Sequence, residues 1–224
     1  GGLWNSTTGS MTVEKSLISN NLADSIDLIA GHGGGGLFNN GGAFNVINTT
    51  VTGNTANAQG GGVLLVDTQA PVTFVFNTLT DNTADTAGGL AVLNNSGTVP
   101  ALGSNIIAEN SVSNTSEDIG GEFTSLGFNL IGDTIGAIFT SMPSDLLDTD
   151  PMLMPLADNG GPTATHLPEA SSPAIDNGSD TNCVQVDQRG FIRPVGADCD
   201  IGSVEVGSSA DLDIIFKDGF EPSP

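Results

Sequence analysis

Apolar and polar positions alternate along most of this chain in short bursts, not in helical periods. Runs such as Val72–Phe76 (VTFVF) place apolar residues at every second position, the spacing of a strand with one buried face. Asn, Thr, Ser and Gly punctuate the runs, and these residues favour turns. The pattern predicts many short strands joined by tight turns. Helical repeats fit poorly, because β-branched residues and Gly fill positions that a helix would give to Ala, Leu and Glu.

The bursts repeat. Met11–Asn21 (MTVEKSLISNN), Phe44–Asn54 (FNVINTTVTGN), Val72–Asn82 (VTFVFNTLTDN) and Pro100–Asn110 (PALGSNIIAEN) superpose without gaps. Three columns are apolar: Met11, Phe44 and Val72; Val13, Val46, Phe74 and Leu102; Ile18, Val51, Leu79 and Ile107. Each segment ends on an asparagine (Asn21, Asn54, Asn82, Asn110), followed two residues later by Ala23, Ala56, Ala84 or Val112. A second block alternates with the first: Gly1–Trp4, Gly35–Phe38, Gly61–Leu64, Gly88–Ala91 and Gly120–Phe123, each led by Gly-Gly.

Self-similarity of this length, built from strand and turn residues, predicts an all-β fold: a right-handed parallel β-helix, or β-solenoid, of four to five coils. Equivalent strands pair between coils, and the apolar columns stack into one core. The asparagine column is read first as a corner ladder, with Asn tolerating left-handed backbone and its amides bonding along the axis. The other reading is an array of polar groups facing a flat ligand such as a glycan or ice. The Gly-Gly pairs are expected where a Cβ would not fit. The predicted division is repeats over 1–140, an irregular C-terminal cap over 141–206, and a linker with a tail over 207–224.

Charge narrows the function classes. Four Lys+Arg stand against 26 Asp+Glu, for a net charge of −22 in 224 residues. Neutralising phosphates needs Lys and Arg, so no nucleic-acid partner is expected, nor an anionic lipid surface. No apolar stretch reaches about 18 residues, so no membrane span is expected. The chain opens at Gly1 inside a repeat and is read as a piece of something longer. Cys183 and Cys199 lie in one Gly/Asp-rich segment, and an even pair in this composition favours an extracytoplasmic disulfide over a metal site.

After about Leu130 the repeat gives way to dense turn chemistry: Asn159–Thr163 (NGGPT), Ser172–Asp176 (SPAID), Asp187–Pro194 (DQRGFIRP) and Cys199–Glu205 (CDIGSVE). These four ordered motifs, over roughly 150–206, closely resemble the choice-of-anchor Q domain of bacterial right-handed β-helix surface proteins. Ser203 stands where that family usually has Ala. The resemblance implies a secreted or surface-displayed protein with a variable C-terminal anchoring signal, and it assigns no catalytic residues. The ending Ile215–Glu221 (IFKDGFE) likewise resembles C-terminal tails of secreted Gram-negative proteins.

The residues of the cap suggest roles of their own. Arg189 and Arg193 stand among Asp176, Asp187, Asp198 and Asp200, and ion pairs between them would fix turns. In the tail, Ile214, Ile215, Phe216 and Phe220 are candidates for strand addition to a sheet edge, in this chain or a neighbour. Such self-association, head to tail, would build an extracellular filament.

Candidate chemistry is sparse. A polysaccharide lyase of this fold needs a basic catalyst, yet Lys15 is the solenoid's one basic residue. A glycoside hydrolase needs paired carboxylates, and Glu14, Asp81 and Glu109 fall on different columns or at turns. His32 and His166 read as loop histidines. Asp145, Asp148 and Asp150 form a weak Ca²⁺ candidate, with turn capping the preferred reading; no cofactor is otherwise expected. The expectation is a non-catalytic extracellular structural or adhesive protein, whose partners are copies of itself or cell-surface components, including glycans. The alternatives are a carbohydrate-active enzyme and a glycan-binding adhesin using outward threonines such as Thr52 and Thr80.

Overall fold

The computed structural model describes residues 1–24, 33–95, 97–112 and 115–208. Among them the regular elements are all strands, and the strands succeed one another in coils. The first coil holds β1 (Leu3–Asn5), β2 (Ser10–Glu14), β3 (Leu17–Ser19) and β4 (Leu22–Ala23). The second holds β5 (Leu37–Asn40), β6 (Ala43–Ile47), β7 (Thr50–Thr52) and β8 (Thr55–Ala56). The third holds β9 (Val63–Val66), β10 (Val72–Val75), β11 (Thr78–Thr80) and β12 (Thr83–Ala84). The fourth holds β13 (Leu90–Leu93), β14 (Ala101–Gly103), β15 (Ile106–Ile107) and β16 (Ser111–Val112), with β17 (Thr115–Ser116) antiparallel to β16. Two sparser coils follow: β18 (Ile119–Gly127) with β19 (Leu130–Ile131), then β20 (Ala137–Thr140) with β21 (Leu146–Leu147).

Every strand pairs in parallel with its equivalent one coil away, apart from the β16–β17 hairpin. The third strands make a six-stranded sheet, β3-β7-β11-β15-β19-β21. The fourth strands β4, β8, β12 and β16 make another, with β17 at its edge. First and second strands form two rows that the nine-residue β18 joins into a ten-stranded sheet, pairing with β13 through Ile119 and with β14 through Thr124.

The columns read from the sequence are the pairing register. Phe44 faces Met11 and Val72; Val46 faces Val13 and Phe74; Val51 faces Ile18 and Leu79. These residues fill the interior together with Leu37, Val63, Leu90 and Ile119 from the first strands. Phe44 and Phe74 meet edge to face, with ring centroids 5.9 Å apart, an arrangement aromatic quadrupoles favour.

Two expectations need correction. The fifth Gly-Gly is out of register, because Leu90 pairs with Ile119 and not with Glu122. Strand pairing also continues past residue 140, since β21 pairs with β19 as far as Leu147.

The C-terminal segment is not a lid on the end of the stack. It runs along the outer face of the six-stranded sheet, where Ala174 and Ile201 pack on Ile106, Ala108 and Leu130. Parallel strands buried on both faces lose polar alternation, and Ile106-Ile107 and Leu130-Ile131 show that loss.

Candidate functional site

Two ladders of side-chain amides run along the stack. In the first, Asn21 Nδ2 donates to Asn54 Oδ1 at 2.9 Å, Asn54 to Asn82 at 2.9 Å, and Asn82 to Asn110 at 2.9 Å. The backbone N–H of each donating residue reaches the same oxygen. The last step changes residue: Asn110 Nδ2 and N–H both donate to Asp118 Oδ1 at 2.8 Å.

The second ladder stands at the neighbouring corner. Thr49 N–H donates to Asn77 Oδ1, Asn77 Nδ2 to Asn105 at 2.9 Å, Asn105 to Asn129 at 3.1 Å, and Asn129 to Asp145 Oδ1 at 3.1 Å. It too ends on an aspartate. Sequence reading missed this ladder, although Asn77 and Asn105 share one column of the aligned repeats. That column begins with Ser16 and Thr49, so it does not read as a run of one residue type.

The corner chemistry differs from expectation in one respect. The left-handed residues are those just before the ladder asparagines. Asn20, Gly53, Asp81 and Glu109 have φ of 55°, 66°, 57° and 60°, and Lys15, Asn48, Phe76 and Ser104 behave alike at the other corner. The ladder asparagines themselves supply amides, and their neighbours supply the bend.

The second glycine of each of the first four Gly-Gly pairs (Gly2, Gly36, Gly62, Gly89) faces a ladder asparagine. A Cβ on Gly62 would lie 2.7 Å from Gly89 O and 3.1 Å from Asn82 Cγ. Asp118 holds the equivalent place one coil beyond Gly89, with its carbonyl accepting from Leu90 N–H as Gly89's accepts from Val63 N–H. Where the asparagine column stops, a side chain fits, and Asp118 directs its carboxylate into the space a fifth asparagine would fill. Burial pushes its pKa up to about 6.

The docked C-terminal segment is tied to the coils by side chains of its sequence motifs. Gln188 Oε1 accepts from Thr50 Oγ1 at 2.6 Å, and its Nε2 donates to Thr163 Oγ1. Ser203 N–H donates to Thr78 Oγ1 at 3.1 Å. Gly202, with φ of 97°, brings its backbone against Ile106, where a Cβ would come within 2.8 Å of the Ile106 side chain. His166 is buried, with Nε2 3.1 Å from Thr52 Oγ1 and Nδ1 2.9 Å from Met154 O.

Both arginines are buried. Arg189 pairs with Asp187 at 2.8 Å, donates to the carbonyls of Asn159 and Glu205, and stacks on Phe191. Arg193 donates to the carbonyls of Asp200 and Gly202, lies 3.6 Å from Glu205 Oε2, and covers the Phe76 ring of the third coil at 4.8 Å. Burial lowers its pKa to about 10, against the opposing pull of Glu205. Asp176 has another role than the expected ion pair: its carboxylate accepts from the backbone N–H groups of Ala197 and Asp198. Cys183 and Cys199 form a disulfide, with Cα atoms 6.2 Å apart.

The other predicted positions separate. Asp145 ends the second ladder, Asp148 accepts from Thr134, and Asp150 caps Met152 N–H, so each carboxylate holds its own turn. Among the described residues no cluster of three or more His, Cys, Asp or Glu is placed to hold a metal ion. Thr52 and Thr80 point out of the coil but are buried, Thr52 against His166 and Thr80 against Glu109. They offer no surface to a glycan. Lys15 is exposed beside Glu14. His32 and the tail residues Ile214, Ile215, Phe216 and Phe220 lie outside the described residues.

No protein-family model, no curated protein and no solved structure matches the chain.

Proposed function

We propose that the chain is a right-handed parallel β-helix serving as a non-catalytic structural scaffold, secreted or displayed at a cell surface. One observation carries this reading: the groups that could do chemistry hold the fold together instead. Asp118 and Asp145 end the ladders, Asp148 and Asp150 cap turns, His166 ties the docked segment to Thr52, and both arginines bind backbone carbonyls. The disulfide and the high net negative charge support an oxidising, extracellular setting. The four C-terminal motifs that resemble a choice-of-anchor Q domain support display at a bacterial surface. In this reading the module is clamped along the coil, and the tail is the anchoring element. Reducing-end and unsaturated-uronate assays on pectin, alginate and glycosaminoglycans test the reading. It expects no turnover, and turnover of any of these polymers overturns it.

One feature favours a carbohydrate-active enzyme as the second reading. Glu109, Asp118 and Asp150 line a pocket of about 240 Å³ with Thr149, and burial raises the pKa of both Glu109 and Asp118. A carboxyl whose pKa is raised by burial, placed in a pocket with further carboxyls, is what a glycosidase's general acid requires. Were turnover found, Glu109→Gln should abolish it.

A further inference from the structure

We propose that the peptide bond between Asp150 and Pro151 is a self-cleavage site, at which the Asp150 carboxylate attacks its own main-chain carbonyl and Glu109 protonates the departing proline nitrogen. The cleavage is a single event in the chain's own backbone; its use as a release joint rests on the scaffold reading.

The bond is the sole Asp-Pro in the sequence. It lies in the pocket whose lining joins Asp150 and Pro151 to Glu109, Asp118 and Thr149. An aspartate carboxylate can close a cyclic anhydride on its own carbonyl, and an intramolecular attack of that kind gains from proximity. Proline leaves from a tertiary amide that has no N–H of its own, so its nitrogen must gain a proton as it departs.

The backbone around the bond is held in place. Asp150 Oδ1 accepts from Met152 N–H at 2.8 Å, which folds the carboxylate over the bond while its other oxygen makes the attack. On one side Thr149 N–H donates to Ile131 O; on the other Ser172 Oγ donates to Pro151 O and Glu169 N–H to Met152 O. Met152 is left-handed, with φ of 52°, a conformation that strains a residue carrying a Cβ.

The pocket also supplies the proton. Desolvation raises the Glu109 pKa against the Thr80 hydroxyl, with Asp81 and Asp150 adding to the rise and His166 opposing it. Asp118 is fully buried; Asn110 occupies its Oδ1, and its Oδ2 has no hydrogen-bond partner among the described residues. Burial raises its pKa to about 6, with Asp133 as a further nearby charge. Both carboxyls therefore keep their protons in milder acid than an ordinary carboxyl does.

In the first step a C–O bond forms between the Asp150 carboxylate and its main-chain carbonyl carbon. The bond from that carbon to the Pro151 nitrogen breaks, and the nitrogen takes the Glu109 proton. Water then opens the anhydride, leaving two carboxyl groups on Asp150 and returning a proton to Glu109. Cys183 and Cys199 both lie on the C-terminal side of the cut. The docked segment is then held to the coils without that backbone link, by contacts such as Thr50 with Gln188.

The full chain is incubated at pH 5 and pH 8, folded and urea-unfolded, and its fragments are read by mass spectrometry. The expected product begins at Pro151. The folded chain at pH 5 should yield it at least about tenfold faster than the folded chain at pH 8 or the unfolded chain at pH 5, the modest end of what a positioned acid contributes. Glu109→Gln, with a far-UV spectrum matching the parent's, should cleave at least about tenfold more slowly, and Asp150→Ala should not cleave there. Absence of the Pro151 fragment, equal rates folded and unfolded, or an unchanged rate in Glu109→Gln overturns the proposal. Each of these failures leaves the scaffold reading standing, since that reading is decided by the turnover assays.

Discussion

Asn110 and Asp118 are eight residues apart in sequence and one coil apart in space, and the carboxylate of one completes the amide ladder of the other at 2.8 Å. The same relationship recurs between Asn129 and Asp145 at the second corner. In both places an acceptor-only side chain stands after a run of amides that donate in one direction. The ladders therefore have a direction and an end, and coil order is written into hydrogen-bond polarity as well as into apolar packing.

Removing an inner rung should cost more than removing an exposed one. Asn105 is buried; its amide serves Asn129 Oδ1 and Phe74 O, and its oxygen serves the backbone and side-chain amides of Asn77. Asn105→Ala leaves several of these groups unpaired and should lower stability by about 3 kcal/mol or more, at roughly 1–3 kcal/mol per buried orphan. Urea unfolding followed by far-UV circular dichroism measures it. A loss below about 1 kcal/mol would mean that the rung is ornamental.

Much of the fold was legible in the sequence, because stacked coils turn spatial neighbours into repeat equivalents. The Val13, Val46, Phe74 and Leu102 column is at once an alignment and a hydrogen-bonded register. The first ladder was legible for the same reason. The second was obscured because Thr49 begins it with a backbone donor. The terminating aspartates were hidden because β18 starts after a shift that no repeat predicts. The lateral docking of the C-terminal segment left only a faint trace, the doubly apolar pairs Ile106-Ile107 and Leu130-Ile131. Its anchors Gln188 and Ser203 belong to turn motifs whose partners lie more than a hundred residues away.

That docking gives a paired test. Thr78 accepts from Ser203 N–H beneath the docked segment, whereas Thr73 is half-buried on the outer face of the neighbouring sheet. Thr78→Val should cost about 1–3 kcal/mol for the unpaired group. Thr73→Val should stay within about 0.5 kcal/mol, as outward substitutions usually do. Equal effects in thermal melts would place the segment elsewhere.

Arg193 clamps the segment to Phe76 and gathers the carbonyls of Asp200 and Gly202. Lysine keeps the charge but not the planar fork. Arg193→Lys should destabilise the segment by on the order of 2 kcal/mol, seen as faster limited proteolysis within residues 150–208 while the coils resist. Uniform cleavage of coils and segment would refute a separate clamp.

Reduction of Cys183–Cys199 acts on the same unit. The bridge joins residues 16 apart, and a loop of that size corresponds to about 3 kcal/mol of chain entropy. Hydrogen exchange under reducing conditions should quicken around Gly178 and Asp200 and stay slow at Val51 and Leu79. Unchanged exchange at Gly178 would show that the bridge adds nothing.

The polarity of the ladders is tested most directly by Asp118→Asn, with urea midpoints at pH 4.5 and pH 8. The folded-state pKa of Asp118 is raised from 3.8 to about 6, so the native state holds its proton more tightly than the unfolded chain does. This contribution to stability is fully present below about pH 4 and is lost as pH rises through about 6, roughly 3 kcal/mol at about 1.4 kcal/mol per pH unit. A neutral amide keeps an acceptor for Asn110 without the buried charge. Asp118→Asn should therefore raise the midpoint at pH 8 and flatten its dependence between the two pH values. A lower midpoint at pH 8, or a pH dependence unchanged from the parent chain, would contradict the account.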